Sequence, residues 1–111
     1  HELNELIRNI KKNKKIVHIY GASTKGNTII QWQGINNNII EFAADRNPQK
    51  WGAKTIGSNI KIISEEKSKK MSPDYYLVLP WHFKKEFLKR EKFFMNNGGK
   101  MIFPLPKIKI Y

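Results

Sequence analysis

From the amino end, Leu3, Leu6, Ile7 and Ile10 recur at helical spacing with polar residues between them, which predicts an amphipathic helix over residues 2–13 that stops at Lys14-Lys15. Ile16-Val17-His18-Ile19-Tyr20 is a mostly apolar, β-branched run ending at Gly21, the pattern of a buried strand followed by a tight turn. A helix over 24–34 comes next, drawing apolar surface from Ile29, Ile30 and Trp32 and stopping at Gly34. After a turn at Asn36-Asn37-Asn38, the run 39–44 predicts a second strand that ends at Asp45-Arg46-Asn47-Pro48. Residues 49–59 have no period and read as an ordered loop, 60–63 as a short strand, and Ser64 as the cap of a short helix with Glu65 and Glu66 in its first turn. Ser72-Pro73-Asp74 turns into a buried strand over 75–80. A helix over 82–95 then puts Phe83, Phe87, Leu88, Phe94 and Met95 on one face and ends at Asn97-Gly98-Gly99. Residues 100–104 form a last buried strand, and 107–110 alternate like an edge strand.

Strands alternating with helices require crossover connections, so the expected fold is α/β, a three-layer Rossmann-like sandwich with a mainly parallel sheet. The 111 residues suit a single domain over 1–111, and a 40% hydrophobic content argues against disorder. No apolar stretch approaches the roughly 20 residues of a membrane span. The chain has no cysteine, which excludes disulfides, thiolate catalysis and cysteine-based zinc sites. It opens on His1 and shows no signal-peptide pattern, so it reads as a domain cut from a longer protein with a cytoplasmic home. The net charge of +12 is almost all lysine, with arginine only at positions 8, 46 and 90. Lysine, asparagine and isoleucine share A/T-rich codons and the lysines are spread along the chain, which favours a solvated surface over a nucleic-acid interface. A basic nucleic-acid-binding module remains a rival reading on charge alone.

The candidate chemistry gathers where such a sheet binds ligands, at the carboxyl ends of its strands. In Tyr20-Gly21-Ala22-Ser23-Thr24-Lys25-Gly26-Asn27-Thr28, Gly21 and Gly26 take the first and third places of the dinucleotide fingerprint and Ser23 the middle one. The first glycine permits a sharp turn and the third a close helix–strand approach, while amides at the new helix start offer positive partial charge to a phosphate. Ser23 adds a hydroxyl and Lys25 a charge. A Gly-rich turn that binds nothing is the competing account. Asp45 lies roughly 20 residues past Gly26, where an acidic residue grips a ribose hydroxyl, unless it only orders the Asn47-Pro48 turn. Trp81 and His82 end the long strand on the same rim. His82 is the one candidate acid or base, with helix capping near Glu86 as the alternative, and His18 inside the first strand reads as a packed histidine. No metal constellation and no nucleophile–base pair appears. The glycine spacing and Asp45 also suit a free-standing nicotinamide-dinucleotide-binding domain.

The same residues carry a resemblance. The block 20–28, Asp45-Arg46-Asn47-Pro48-Gln49-Lys50 with Gly52, Gly57-Ser58-Asn59-Ile60, Ser72-Pro73-Asp74-Tyr75, Leu79-Pro80-Trp81-His82 with Glu86, and residues 98–106 resemble, in order, the C-terminal domain of the sugar C-methyltransferases. The chain departs from that family at His82, where asparagine is usual, and at Ile56-Gly57, where Pro-Gly is usual. The resemblance implies a Rossmann-like domain preceded by a zinc-binding module and an S-adenosylmethionine-binding domain, the whole enzyme methylating a carbon of a nucleotide-linked keto-deoxysugar through an enolate. It implies that this part holds no cofactor and no catalytic base and is inactive alone. Its expected partners are a nucleotide-diphosphate sugar and the other domains of the chain, with no membrane and with nucleic acid disfavoured. The substrate contacts expected are Gly21, Ser23, Lys25, Gly26, Asn27, Thr28, Asp45, Asn47, Trp81 and His82.

Overall fold

A computed structural model describes residues 2–111, and their chain order alternates as the pattern requires. Helix α1 (Glu2–Lys12) leads into β1 (Val17–Tyr20), α2 (Thr24–Trp32), β2 (Phe42–Asp45), β3 (Lys61–Ser64) and α3 (Glu65–Lys70). Strand β4 (Tyr75–Val78), helices α4 (Lys84–Arg90) and α5 (Lys92–Asn96), and strands β5 (Lys100–Phe103) and β6 (Lys109–Ile110) complete it. The strands form one sheet in the order β3-β2-β1-β4-β5-β6, parallel throughout except for β6, which runs antiparallel to β5. The sheet is thus wound in both directions from its middle, with helices on both faces.

Strand residues alternate between two cores, which is why the central strands are apolar at nearly every position. Val17, Ile19, Ala43, Ile62, Leu77 and Ile102 meet Leu3, Ile7, Ile10 and Ile30 of α1 and α2. On the opposite face Tyr20, Ala44, Tyr76, Val78, Met101 and Phe103 meet Phe87 of α4, with Leu88, Phe94 and Met95 packed partly against them. Ser64 caps α3 by accepting from the Lys67 amide at 3.0 Å.

The edge strand expected over 107–110 is only Lys109–Ile110, Trp32 lies exposed and not in the core, and two further elements differ in kind. The strand expected over 39–44 begins only at Phe42. Ile39 and Ile40 instead donate their amides to the Asn36 carbonyl, both at 3.0 Å, so these apolar residues fill the core from a turn. The helix expected over 82–95 is a 3-10 turn (Trp81–Phe83) followed by α4 and α5, with a break at Glu91, whose φ of −101° and ψ of 25° leave helical geometry. The break turns that carboxylate into the protein. Residues 49–59 are ordered, as expected, because they hydrogen-bond onto β3: Gly52 donates to the Ile62 carbonyl, and Ile62 to that of Ala53, each at 2.9 Å.

His18 has the packed role expected, with 2% of its surface exposed and Nδ1 2.7 Å from Ser68 Oγ, itself 2.7 Å from the Tyr76 hydroxyl. Burial lowers its pKa from 6.5 to about 4. The unfolded imidazole takes a proton at a higher pH than the folded one, so this contribution to stability is complete above pH 6.5 and is lost as pH falls toward 4. Urea unfolding at pH 5 is expected to show about 2 kcal/mol less stability than at pH 7 from this group, and His18→Gln should flatten that difference.

Candidate functional site

The strand order reverses between β1 and β4, so loops leaving these two parallel neighbours go to opposite faces, the position at which sheets of this kind take their ligands. Gly21 makes the first turn with φ +82°, and a Cβ there would lie 2.7 Å from Pro80 Cγ. Gly26 is buried where α2 crosses β4, and a Cβ would lie 2.9 Å from Leu79 Cα. Both glycines therefore serve the turn and the close approach that their spacing suggests. Ser23 caps α2 by accepting from the Gly26 amide at 3.1 Å.

The amides of the turn divide into two groups. Ala22 donates to Asp45 Oδ2 at 2.9 Å, Ser23 to the Gly21 carbonyl at 2.9 Å, and Gly26 to Ser23. Those of Thr24 and Lys25, the first two of the helix, have no partner among the described residues, and both residues are exposed. Asp45 is a latch for this turn. Its Oδ1 accepts from the Asn47 amide at 2.8 Å, and Lys50 Nζ lies 3.7 Å from Oδ2 while donating to the Ala22 carbonyl at 3.1 Å. Asp45→Ala is expected to cost about 2 kcal/mol and to speed hydrogen exchange at the Ala22 and Asn47 amides, which two-dimensional NMR would read directly.

The other expected contacts are more dispersed. Asn27 turns back to the loop before β3, donating to the Ile56 carbonyl at 2.7 Å and accepting from Ser58 Oγ at 2.6 Å. Thr28 donates to the Thr24 carbonyl at 3.2 Å, and Asn47 accepts from the Gln49 amide at 3.0 Å. Trp81 is half-buried against the second core, and His82 beside it is exposed. Glu86 pairs with Arg90 at 3.3 Å, one turn on. The structure thus groups Gly21, Ser23, Lys25, Gly26 and Asp45 around one turn, with Trp81 and His82 on the adjoining strand end. Lys50 belongs to the same turn. Only its place in the block that starts at Asp45 could have signalled it.

A second polar system lies under the sheet's other face. The Tyr20 hydroxyl donates to Glu91 Oε2 at 2.7 Å, Lys69 Nζ sits 2.6 Å from Glu91 Oε1, and Arg90 Nη1 reaches the Tyr20 oxygen at 3.3 Å. Burial, reinforced by the Glu91 carboxylate, holds the Tyr20 hydroxyl well above its ordinary pKa, and burial pushes Tyr76 up to about 12. Glu65 is likewise raised by burial. A cleft of about 670 Å³ opens here between α3 and α5, but each cation lining it already faces a carboxylate: Arg46 and Glu65 at 3.8 Å, Lys69 and Glu91, Arg90 and Glu86. Lys69–Glu91 ties α3 to the junction of α4 and α5, Arg46–Glu65 ties the end of β2 to α3, Arg90–Glu86 lies within α4, and the three leave no unpaired cation at the cleft among the described residues.

Residues 1–106 match the model of the C-methyltransferase C-terminal domain. The chain belongs to that family. It is also 37% identical over 109 residues to the C-methyltransferase NovU of Streptomyces niveus, a match that takes in 98% of this chain and 26% of that protein. The chain therefore spans about a quarter of the length of that relative.

In this C-methyltransferase C-terminal domain the described residues contain no group of three or more His, Asp or Glu side chains placed to hold a metal ion. No described helix is long and apolar enough to cross a membrane. What the rim offers is a turn with two open amides, an ammonium group, a hydroxyl already committed as a cap, and an aromatic strand end.

Proposed function

We propose that the chain is the nucleotide-sugar-binding domain of an S-adenosylmethionine-dependent C-methyltransferase whose substrate is a nucleotide-linked keto-deoxysugar. Family membership supports the methyltransferase part of this reading. The observation that carries the ligand part is the pair of unpartnered amides at Thr24 and Lys25, with the exposed Lys25 side chain on the same turn, at the point where the sheet's winding reverses. A diphosphate set there would receive two backbone donors and one charge, while the Asp45 latch holds the turn in place. The domain would be one part of a longer cytoplasmic protein, whose methyl-donor pocket and zinc module lie outside these residues. The absence of cysteine here does not fit a thiolate zinc site.

Titration of the chain with thymidine- and guanosine-diphosphate sugars, NAD and a random DNA duplex tests the reading. Saturable binding of a nucleotide-sugar is expected, weakened about tenfold by Lys25→Ala through loss of one charge-assisted contact. Tight binding of NAD without nucleotide-sugars would show a nicotinamide site instead, and steeply salt-dependent duplex binding would show a nucleic-acid module. Asp45 does not separate the two readings, because each of its carboxylate oxygens accepts one backbone amide and has a second lone pair for a ribose hydroxyl.

A further inference from the structure

We infer that the nucleoside of the bound diphosphate stacks on Trp81 in an apolar hollow beyond β4, and does not lie over β2 where a dinucleotide fingerprint would put it. This rests on reading the turn at Gly21–Thr28 as the diphosphate site.

A hollow of about 480 Å³ lies at the carboxyl ends of β4 and β5, lined by Trp81, His82, Phe83, Lys84, Leu105 and Pro106 among others. Three rings step along its wall, with Trp81 and His82 centroids 5.7 Å apart and His82 and Phe83 4.3 Å apart. Phe83 and Leu105 are exposed at it. Lys85 and Glu86 also border it, but Glu86 pairs with Arg90 at 3.3 Å and Lys84 Nζ donates to the Tyr111 hydroxyl at 2.9 Å. The hollow adjoins the diphosphate turn, because Pro80, which closes against Gly21, immediately precedes Trp81. From β1 across β4 to β5 is two strand spacings, about 10 Å, a distance that a ribose joining phosphate to base can cover.

The β2 side offers less. Asp45 is the acidic group that a ribose there would need, and it already holds the turn, each oxygen accepting one amide, from Ala22 and Asn47, with Lys50 Nζ 3.7 Å from Oδ2. The Trp51 indole N–H is likewise given to the Asp45 carbonyl at 2.7 Å. A flat heteroaromatic base fits the hollow because every base has a face that stacks on an indole.

The test uses thymidine diphosphate, adenosine diphosphate and inorganic pyrophosphate as probes on the 111-residue chain, with the Trp indole N–H signals followed by NMR. Both nucleotides are expected to bind about tenfold tighter than pyrophosphate and to shift the Trp81 signal, which pyrophosphate leaves in place. Trp81→Leu, which keeps an apolar contact with the second core, should erase the nucleotides' advantage while pyrophosphate binding persists. Pyrophosphate and nucleotides binding alike, with Trp81 unmoved, would overturn the inference and spare the diphosphate reading. Binding of none of the three would overturn both.

Discussion

Gly26→Ala is expected to lower the unfolding free energy by about 3 kcal/mol and the thermal midpoint by roughly 12–15 °C. In an exposed helix the same change would stabilise by about 1 kcal/mol through better helix propensity. Here the added carbon would sit 2.9 Å from both Leu79 Cα and Ser23 Oγ, and closer still to Leu79 Cβ. Leu79 is fully buried next to β4 and its amide is bonded to the Tyr20 carbonyl at 3.1 Å, so it has no room to retreat. Helix α2 must move instead, and the Ser23 cap moves with it. Differential scanning calorimetry would measure the loss. A variant as stable as the parent would mean that α2 does not approach β4 as closely as described.

Glu91→Ala should be nearly as costly, at about 3 kcal/mol. Glu91 is only 4% exposed, and its removal strips the buried Tyr20 hydroxyl of its closest partner and leaves Lys69 without its carboxylate. Lys69 retains some access to water, so most of the expected cost falls on Tyr20 and on the cavity left behind. Replacing the whole set with apolar residues, as in Tyr20→Phe with Glu91→Met and Lys69→Met, should recover much of the loss because no polar group is then stranded. Urea denaturation of the single and triple variants separates the two effects. A triple variant no better than Glu91→Ala would show that the packing of these side chains matters more than their charges.

Much of this was legible along the chain, and the exceptions share a cause. The strands at 17–20, 75–78 and 100–103 announce themselves as apolar runs because each is buried on both faces. The turn at Gly21 was legible because strand, glycine and helix cap lie within a few residues of one another. The start of β2 was not, since Ile39 and Ile40 are apolar for the sake of the core while their amides go to Asn36. Nor was the break at Glu91, because glutamate is a good helix former and the groups that draw it inward, Tyr20 and Lys69, are 71 and 22 residues away. Asp45 was found by spacing, but its bond to the Ala22 amide spans 23 residues and only the folded chain reveals it. Pattern reports what a residue is made for locally; long-range polar pairing is settled by which strand ends become neighbours.

The two margins of the sheet suggest a use for the lysine surplus that needs no anionic ligand. One margin, β3, is covered over its first half by the loop that hydrogen-bonds to Ile60 and Ile62, and the bridge there brings Lys54 opposite Lys61. The other, β6, is two residues long, with Lys107 and Lys109 exposed along it. Neither border gives a second molecule a long, uncharged ladder to extend, which is how sheets of this kind avoid pairing edge to edge.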